Sequence, residues 1–358
     1  MRYAVIMAGG AGTRLWPMST RNRPKQLLRF IGGDSLLSIA AARLRGLIAP
    51  SHLFVCTSAA YAQQVIDELS ILPARQILGE PMGRDTANAV AFPAAILSRI
   101  DPEATMAVLT ADHIIEPIEV FQKSLEAGFH TVEKSPETLV TFGIAPTHPA
   151  TGYGYIHKGE ELAGSDGVFG VAGFREKPSA QVAEEYLASG KYLWNSGMFV
   201  WKVSTILNEL KTHLPQTYEG VQRIAAAWNT PEYEKVLNEI YPTLPKISID
   251  YAIMEKTRHA AVIPMPVTWL DVGNWNSFAA TVKPDADANR IAGCDLVALD
   301  SSGVLAVSDS EHLIGAIGVK NIIVIHTADA TLICSADHTE NIKQLVERIQ
   351  KQYPDQYT

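Results

Sequence analysis

Along the first 280 or so residues, short consecutive apolar runs alternate with stretches of helical spacing. Residues 3–7 (Tyr-Ala-Val-Ile-Met) are apolar without alternation, the pattern of a strand buried on both faces. Further strands are expected at 53–56, 104–110, 139–144 and 168–173, with a short one at 75–78. Between and after them, residues 35–44, 61–69, 87–97, 119–134, 182–187, 205–210 and 218–228 carry apolar positions at helical spacing, and 249–256 reads as a short helix. Asp85 or Thr86 is placed to cap one of these helices, Asp250 to cap the short one, and Gly190 to stop another. Residues 195–197 read as a turn into a strand of large apolar residues that begins at Gly197. Alternating strands and helices imply an α/β fold with a mixed, mostly parallel sheet covered on both faces. From about Pro284 the pattern changes. Short apolar stretches at 296–299, 304–307, 314–317 and 322–325 are separated by Gly, Asp, Ser and Asn, which favours stacked short strands over a crossover sheet. An amphipathic helix over 339–352 follows. Two domains are expected, 1–283 and a small β-rich one at 284–358 with the terminal helix.

Composition narrows the class. Of 358 residues, 47% are hydrophobic and 19% charged, values of a globular chain. A formal charge of −8 argues against general nucleic-acid binding, which favours a basic face. Cys56, Cys294 and Cys334 are far apart and form no CxxC pair, so a reduced, cytoplasmic setting is expected. The amino terminus enters the first strand without a charged leader, and no apolar run is long enough to span a bilayer, so no membrane association is expected.

The stretch with most chemistry follows the first strand. After Ala8, the glycines Gly9, Gly10 and Gly12 turn the chain, and Thr13, Arg14 and Lys25 follow. Backbone N–H groups of such a turn approach an anion closely, and two separated cations complete a phosphate cradle. Two common phosphate motifs are absent: the third glycine of the dinucleotide fingerprint is missing, and Gly12 is followed by Thr13-Arg14 instead of Lys-Ser/Thr. Glycines alone fit an ordinary strand-to-helix turn; the cations tip the balance. Further candidates are plainer. Gly79-Glu80-Pro81 and Thr86-Ala87 fit a loop with an N-cap. Asp112 lies just past a strand, where open α/β sheets bind ligands, but equally suits a helix cap. His113 suits a loop-bonding role. Gly154 among aromatics fits a strand entry or a hairpin edge, Glu176-Lys177 before Pro178 an exposed turn, and Asp271 a turn residue. Asn195, both donor and acceptor, suits a vicinal diol.

Taken together, Gly9-Gly-Ala-Gly-Thr-Arg-Leu-Trp-Pro through Pro24-Lys25-Gln26, Gly79-Glu80-Pro81, Phe174-x-Glu176-Lys177-Pro178 and Asn195-Ser196-Gly197 resemble, in order, the motifs of the sugar-phosphate nucleotidylyltransferases. The Trp16-Pro17 and Pro24-Lys25-Gln26 forms look like those of the mannose-1-phosphate guanylyltransferases. The resemblance implies a Rossmann-like catalytic domain of the nucleotide-diphospho-sugar transferase type and a small left-handed β-helical domain. It also implies substrates GTP and mannose 1-phosphate, products GDP-mannose and pyrophosphate, and Mg²⁺ as cofactor. Arg14 and Lys25 then act in catalysis. Ala8, Gly9, Gly10, Gly12, Thr13, Glu80, Pro81, Thr86 and Ala87 hold the nucleotide. Gly154, Glu176, Lys177 and Asn195 hold the sugar phosphate, and Asp112 and Asp271 the metal. A homodimer is the assembly considered. Some relatives carry a fused isomerase module after this point, for which no length is left. Rival readings are a nucleotidylyltransferase for another NTP and sugar 1-phosphate, a non-catalytic sugar-nucleotide-sensing subunit, and a nicotinamide oxidoreductase, the last weakened by the missing glycine. Removing the chain from about Pro284 is expected to spare the chemical residues while impairing stability or assembly.

Overall fold

The structure is a computed structural model that describes residues 1–10, 12–29, 33–354 and 356–358. Ala11 of the glycine-rich turn lies outside the described residues. The strands, in chain order, are β1 (Arg2–Ala8), β2 (Leu53–Ser58), β3 (Ile77–Glu80), β4 (Thr105–Thr110), β5 (His113–Glu116), β6 (Leu139–Ile144), β7 (Tyr155–Glu161), β8 (Phe169–Arg175), β9 (Tyr192–Lys202) and β10 (Ala260–Pro264). They continue with β11 (Thr268–Asp271), β12 (Arg290–Ala292), β13 (Asp295–Leu299), β14 (Leu305–Ser308), β15 (Leu313–Ile317), β16 (Ile322–His326) and β17 (Thr331–Ser335). The chain forms two compact units. The first comprises Met1–Gly9, Ala41–Thr110 and Ile115–Thr268; the second comprises Gly10–Ala40, Ala111–Ile114 and Trp269–Thr358.

The first unit is built on a nine-stranded sheet of order β3-β2-β1-β4-β9-β6-β10-β8-β7. β1 pairs in parallel with β2 and β4, and β2 with β3, as alternation of strand and helix requires. β9 then runs antiparallel between β4 and β6, so the sheet is mixed. Helix Asp85–Ile100 is buried on every face from Ala87 to Leu97. It packs against helices Val203–His213 and Pro215–Ala227, in a core with Phe199 and Trp201 of β9. Full burial explains why its apolar residues are continuous rather than striped.

In the second unit β12, β14, β16 and β17 form one sheet, and β13 and β15 a parallel pair. The apolar stretches read from the sequence become β13, β14, β15 and β16, and their period of two sorts residues into two cores. Leu305 and Val307 join one cluster, while Val304 and Ala306 join another with Ile314 and Ala316. The first cluster also contains Leu15, Trp16, Met18, Leu28 and Leu36. Ile342 and Val346, four residues apart on helix Ile342–Gln352, close it.

Several local expectations change. Asn195 and Gly197 lie inside the continuous strand β9, not in a turn before it. The residue at the cap of this helix is Arg84, without a side-chain bond, while Asp85, at φ 66°, accepts from the first-turn Thr86 N–H at 2.8 Å. Asp112 caps nothing, since helix Ile118–Lys134 starts beyond Pro117. Residues Asp250–Met254 form a single π turn that Asp250 does not cap. Helix Tyr233–Ile240 has no counterpart among the helices read from the sequence.

Candidate active site

The second unit gathers the cations and aspartates. Gly12 has φ 60° and leads into the one-turn helix Thr13–Leu15. A Cβ on Gly12 would fall 2.6 Å from Lys25 Cβ and 2.9 Å from Ser19 Oγ, so glycine is required for both conformation and space. This close approach seats Lys25, whose side chain is 12% exposed. Its Nζ lies 2.5 Å from Asp112 Oδ2 and 3.9 Å from Asp271 Oδ1, and donates to the Val272 carbonyl at 3.3 Å. The backbone fixes both aspartates: Val272 N–H donates to the Asp112 carbonyl at 3.2 Å, and Gly273 N–H to the Asp271 carbonyl at 2.8 Å. Burial pushes the Asp112 carboxyl up, but the Lys25 ammonium, His113 and a backbone N–H together outweigh it and hold the group at about 2. Burial likewise opposes the Lys25 charge, and the two aspartates together raise its pKa.

His113 lies beside this pair, its Nε2 3.8 Å from Asp112 Oδ1. Asp112, His113 and Asp271 bring potential ligand atoms within 4.8 Å of one another. The indole N–H of Trp269, which can only donate, points at His113 Nδ1 at 3.2 Å. The neutral ring must then carry its proton on Nε2, which leaves no lone pair facing the aspartates. The ligands that remain are carboxylate oxygens, a donor set suited to a hard divalent cation. Arg14 is less enclosed. Its Nη1 meets Glu340 Oε2 at 3.0 Å and Oε1 at 3.1 Å, and Asn274 Nδ2 donates to the same carboxylate at 2.8 Å.

The first unit holds the other candidates in two clusters. Ala8 ends β1, and its carbonyl accepts from Thr57 Oγ1 at 2.9 Å. Gly9 follows it, and a Cβ there would lie 3.7 Å from Glu80 Oε2. Glu80 is the last residue of β3, 6% exposed, and accepts a short hydrogen bond from the Tyr241 hydroxyl. Burial pushes Glu80 up to about 7 against the pull of that hydroxyl. Pro81 leads from Glu80 toward the helix at Asp85. Thr86 Oγ1 accepts from Ile249 N–H at 2.8 Å, Ala87 N–H donates to the Ile247 carbonyl at 3.2 Å, and Asn88 Nδ2 donates to the Pro245 carbonyl at 2.7 Å.

The second cluster is organised by Gly154. A Cβ there would fall 2.5 Å from Glu176 Oε2, so the backbone and the carboxylate share one narrow space. Lys177, at φ 44°, brings Nζ to 3.0 Å from Glu176 Oε1. Asn195 N–H donates to the Gly154 carbonyl at 2.8 Å. Its side chain is already engaged: Oδ1 accepts from Thr141 Oγ1 at 3.1 Å and Gly197 N–H at 3.2 Å, and Nδ2 donates to Asp250 Oδ1 at 3.0 Å. Sequence reasoning missed Asp250, Tyr241 and Glu340 as neighbours of the candidates. The cap assignment of Asp250 hid it, and nothing local marks the other two.

Comparisons with known proteins divide the chain by sequence, not by the two compact units. Residues 3–287 match the Nucleotidyl transferase family model, and residues 295–349 the model described as MannoseP isomerase/GMP-like beta-helix domain. A mannose-1-phosphate guanylyltransferase of Salmonella muenchen is 39% identical, over 96% of this chain and 72% of that protein. One of Escherichia coli strain K12 is 37% identical, over 97% of this chain and 73% of that protein. A solved structure, described as a mannose-1-phosphate geranyltransferase from Thermus thermophilus, superposes with a TM-score of 0.88 at 32% identity. The superposition covers 98% of this chain and 99% of that one.

Proposed function

This chain belongs to the nucleotidyl transferase family and, within it, to the mannose-1-phosphate guanylyltransferases; from that premise we propose that it transfers GMP from GTP to mannose 1-phosphate, forming GDP-mannose and releasing pyrophosphate. The observation that carries this reading is the cluster of Lys25 with Asp112 and Asp271, a cation and two carboxylates from three separate segments. The sugar-phosphate oxygen is already anionic, so attack on the α-phosphorus needs no strong base. The demands are to overcome repulsion between two polyanions and to hold the charge of the transition state. Arg14, with a planar fork, and Lys25, with a point charge, serve the triphosphate. Turn N–H groups of Gly9, Gly10, Gly12 and Thr13 add neutral donors. Asp112 and Asp271 are the residues that would hold Mg²⁺, and their oxygen-only set fits it. When bound, such an ion supplies charge neutralisation between phosphate oxygens. Lys177 serves the sugar phosphate, and Glu176 the sugar hydroxyls. No helix among the described residues is long and apolar enough to cross a membrane.

The test is pyrophosphate release with GTP and mannose 1-phosphate, against glucose 1-phosphate and against ATP, UTP and dTTP. GTP with mannose 1-phosphate should be the fastest pair. Preference for another nucleotide would overturn the base assignment, and preference for glucose 1-phosphate the sugar assignment alone.

Base choice on this reading falls to Glu80. Guanine offers adjacent N1–H and N2–H₂ donors, which an acceptor-only carboxylate suits. Glu80 must be ionised to accept them, so GTP affinity is expected to rise as pH rises through about 7. The stability contribution runs the other way. A carboxyl raised above its unfolded value stabilises below that value, and this contribution is lost as pH rises through about 7. Glu80→Gln should raise the KM for GTP by roughly ten- to a hundredfold, the loss of a charge-assisted bond, and flatten its pH dependence. Unchanged KM and an unchanged pH profile would remove Glu80 from base recognition.

A further inference from the structure

The hexose cluster contains a carboxylate that none of its motifs includes. Asp250 is 55 residues from Asn195 in sequence, yet its Oδ1 accepts from Asn195 Nδ2 at 3.0 Å. The orientation of that amide is fixed. Gly197 N–H, which can only donate, meets its oxygen at 3.2 Å, so its nitrogen must face Asp250. Asn195 in turn holds the Gly154 carbonyl, and Gly154 abuts Glu176. Four residues from four segments therefore converge, two of them carboxylates.

For a purely structural role this is a poor arrangement. Two carboxyl groups stand close enough for the charge of one to act on the other, and the nearby ammonium of Lys177 pairs with Glu176. Burial first, and then the Glu176 charge, push Asp250 up to about 7. Asp250 does not cap the turn it opens, and that turn is a π turn, a form that recurs at functional sites. Its backbone is nevertheless firmly held, because the preceding residue, Ile249, donates to Thr86 Oγ1 at 2.8 Å. Asn195 Nδ2 serves Asp250 and the Lys177 ammonium serves Glu176, yet each carboxyl has several acceptor sites, and a hexose supplies further hydroxyl donors.

We propose that Asp250 is a sugar-binding residue whose carboxylate accepts a hydroxyl of the hexose 1-phosphate beside Glu176, and that Asn195 is the residue that positions it. This rests on the sugar-phosphate reading given above. It adds a second acceptor to the site and gives Asn195 an indirect part in place of direct contact with a diol.

The experiment crosses the substrate with the protein. Initial rates are measured with mannose 1-phosphate and each of its monodeoxy analogues, for the wild type, Asp250→Asn and Asn195→Ala. Asp250→Asn should lower kcat/KM for mannose 1-phosphate by roughly ten- to a hundredfold while the KM for GTP stays unchanged. One analogue should lose a similar factor with the wild type and little more with Asp250→Asn, the signature of a coupled pair. The same analogue should lose most of its penalty with Asn195→Ala, which also keeps the test open if Asp250→Asn fails to fold by circular dichroism. Equal penalties for every analogue in all three proteins would overturn the proposal. If the nucleotide and sugar panel selects a different hexose 1-phosphate, the cycle is run on deoxy forms of that sugar. The substrate assignment can then fail while the role of Asp250 is judged by itself.

Discussion

Deletion of residues 284–358 is expected to abolish nucleotidyl transfer and to leave a chain that does not hold its phosphate turn. Every candidate ligand residue precedes Pro284, so the sequence alone leads one to expect the chemical residues to be spared and only stability or assembly to suffer. The packing extends that loss to the segment that carries the cations. Leu15, Trp16, Met18, Leu28 and Leu36, on the segment that carries Arg14 and Lys25, share one core with Leu305, Val307, Ile323, Ile325, Leu332, Ile342 and Val346. Polar ties reinforce it. Trp16 Nε1 donates to the Tyr357 carbonyl at 2.5 Å, Arg23 pairs with Asp309 at 3.0 Å, and Arg14 pairs with Glu340. Exposing a buried large apolar side chain costs about 1.5–3 kcal/mol. The loss of several such contacts is comparable with the whole stability of an ordinary domain, about 5–15 kcal/mol. The check is a truncated chain compared with the full one by near-ultraviolet circular dichroism and pyrophosphate release. A soluble truncation with native-like spectra and wild-type rates would refute the shared core as a functional requirement.

Replacing either Asp112 or Asp271 by asparagine should reduce the rate by about two to three orders of magnitude, the usual scale for losing one preorganised electrostatic group. Their effects on stability should differ. Asp112 is the close partner of a buried lysine, at 2.5 Å against 3.9 Å for Asp271. Asp112→Asn leaves that ammonium with only the more distant carboxylate, so it should lower Tm more than Asp271→Asn does. The wild-type acid response follows from the same contact. A carboxyl held at about 2 stabilises the fold above its ordinary value, and this contribution is lost as pH falls through about 2. Rates across a Mg²⁺ titration, with melting curves beside them, separate the two effects. Folded variants with near-wild-type rates at every Mg²⁺ concentration would remove the two-carboxylate site.

What is legible in the sequence is what is local. The strand before the glycine turn, the carboxylate at the end of β4 and the four apolar stretches of the carboxyl-terminal part each declare themselves within a few residues. The clash that requires Gly12 to lack a side chain is non-local, because the atom in its way belongs to Lys25. Asp250 reads as a cap because aspartate before a helical run favours that role. The π turn and Asn195, 55 residues away, give it another. Asn195 reads as free to meet a ligand because its neighbours in sequence do not occupy it; Thr141, on another strand, does. The antiparallel insertion of β9 also escapes the alternation of strands and helices, which says nothing about the direction in which a late strand returns.

The lysine between the aspartates bears on how the protein is made. A pocket of bare, partly buried carboxylates repels itself, and many metal centres therefore fold only once their ion arrives. Here the polypeptide carries its own counter-ion on Lys25, 2.5 Å from Asp112. If Asp112 and Asp271 hold an ion as proposed, the Lys25 ammonium already offsets their mutual repulsion, so the chain is expected to fold without that ion.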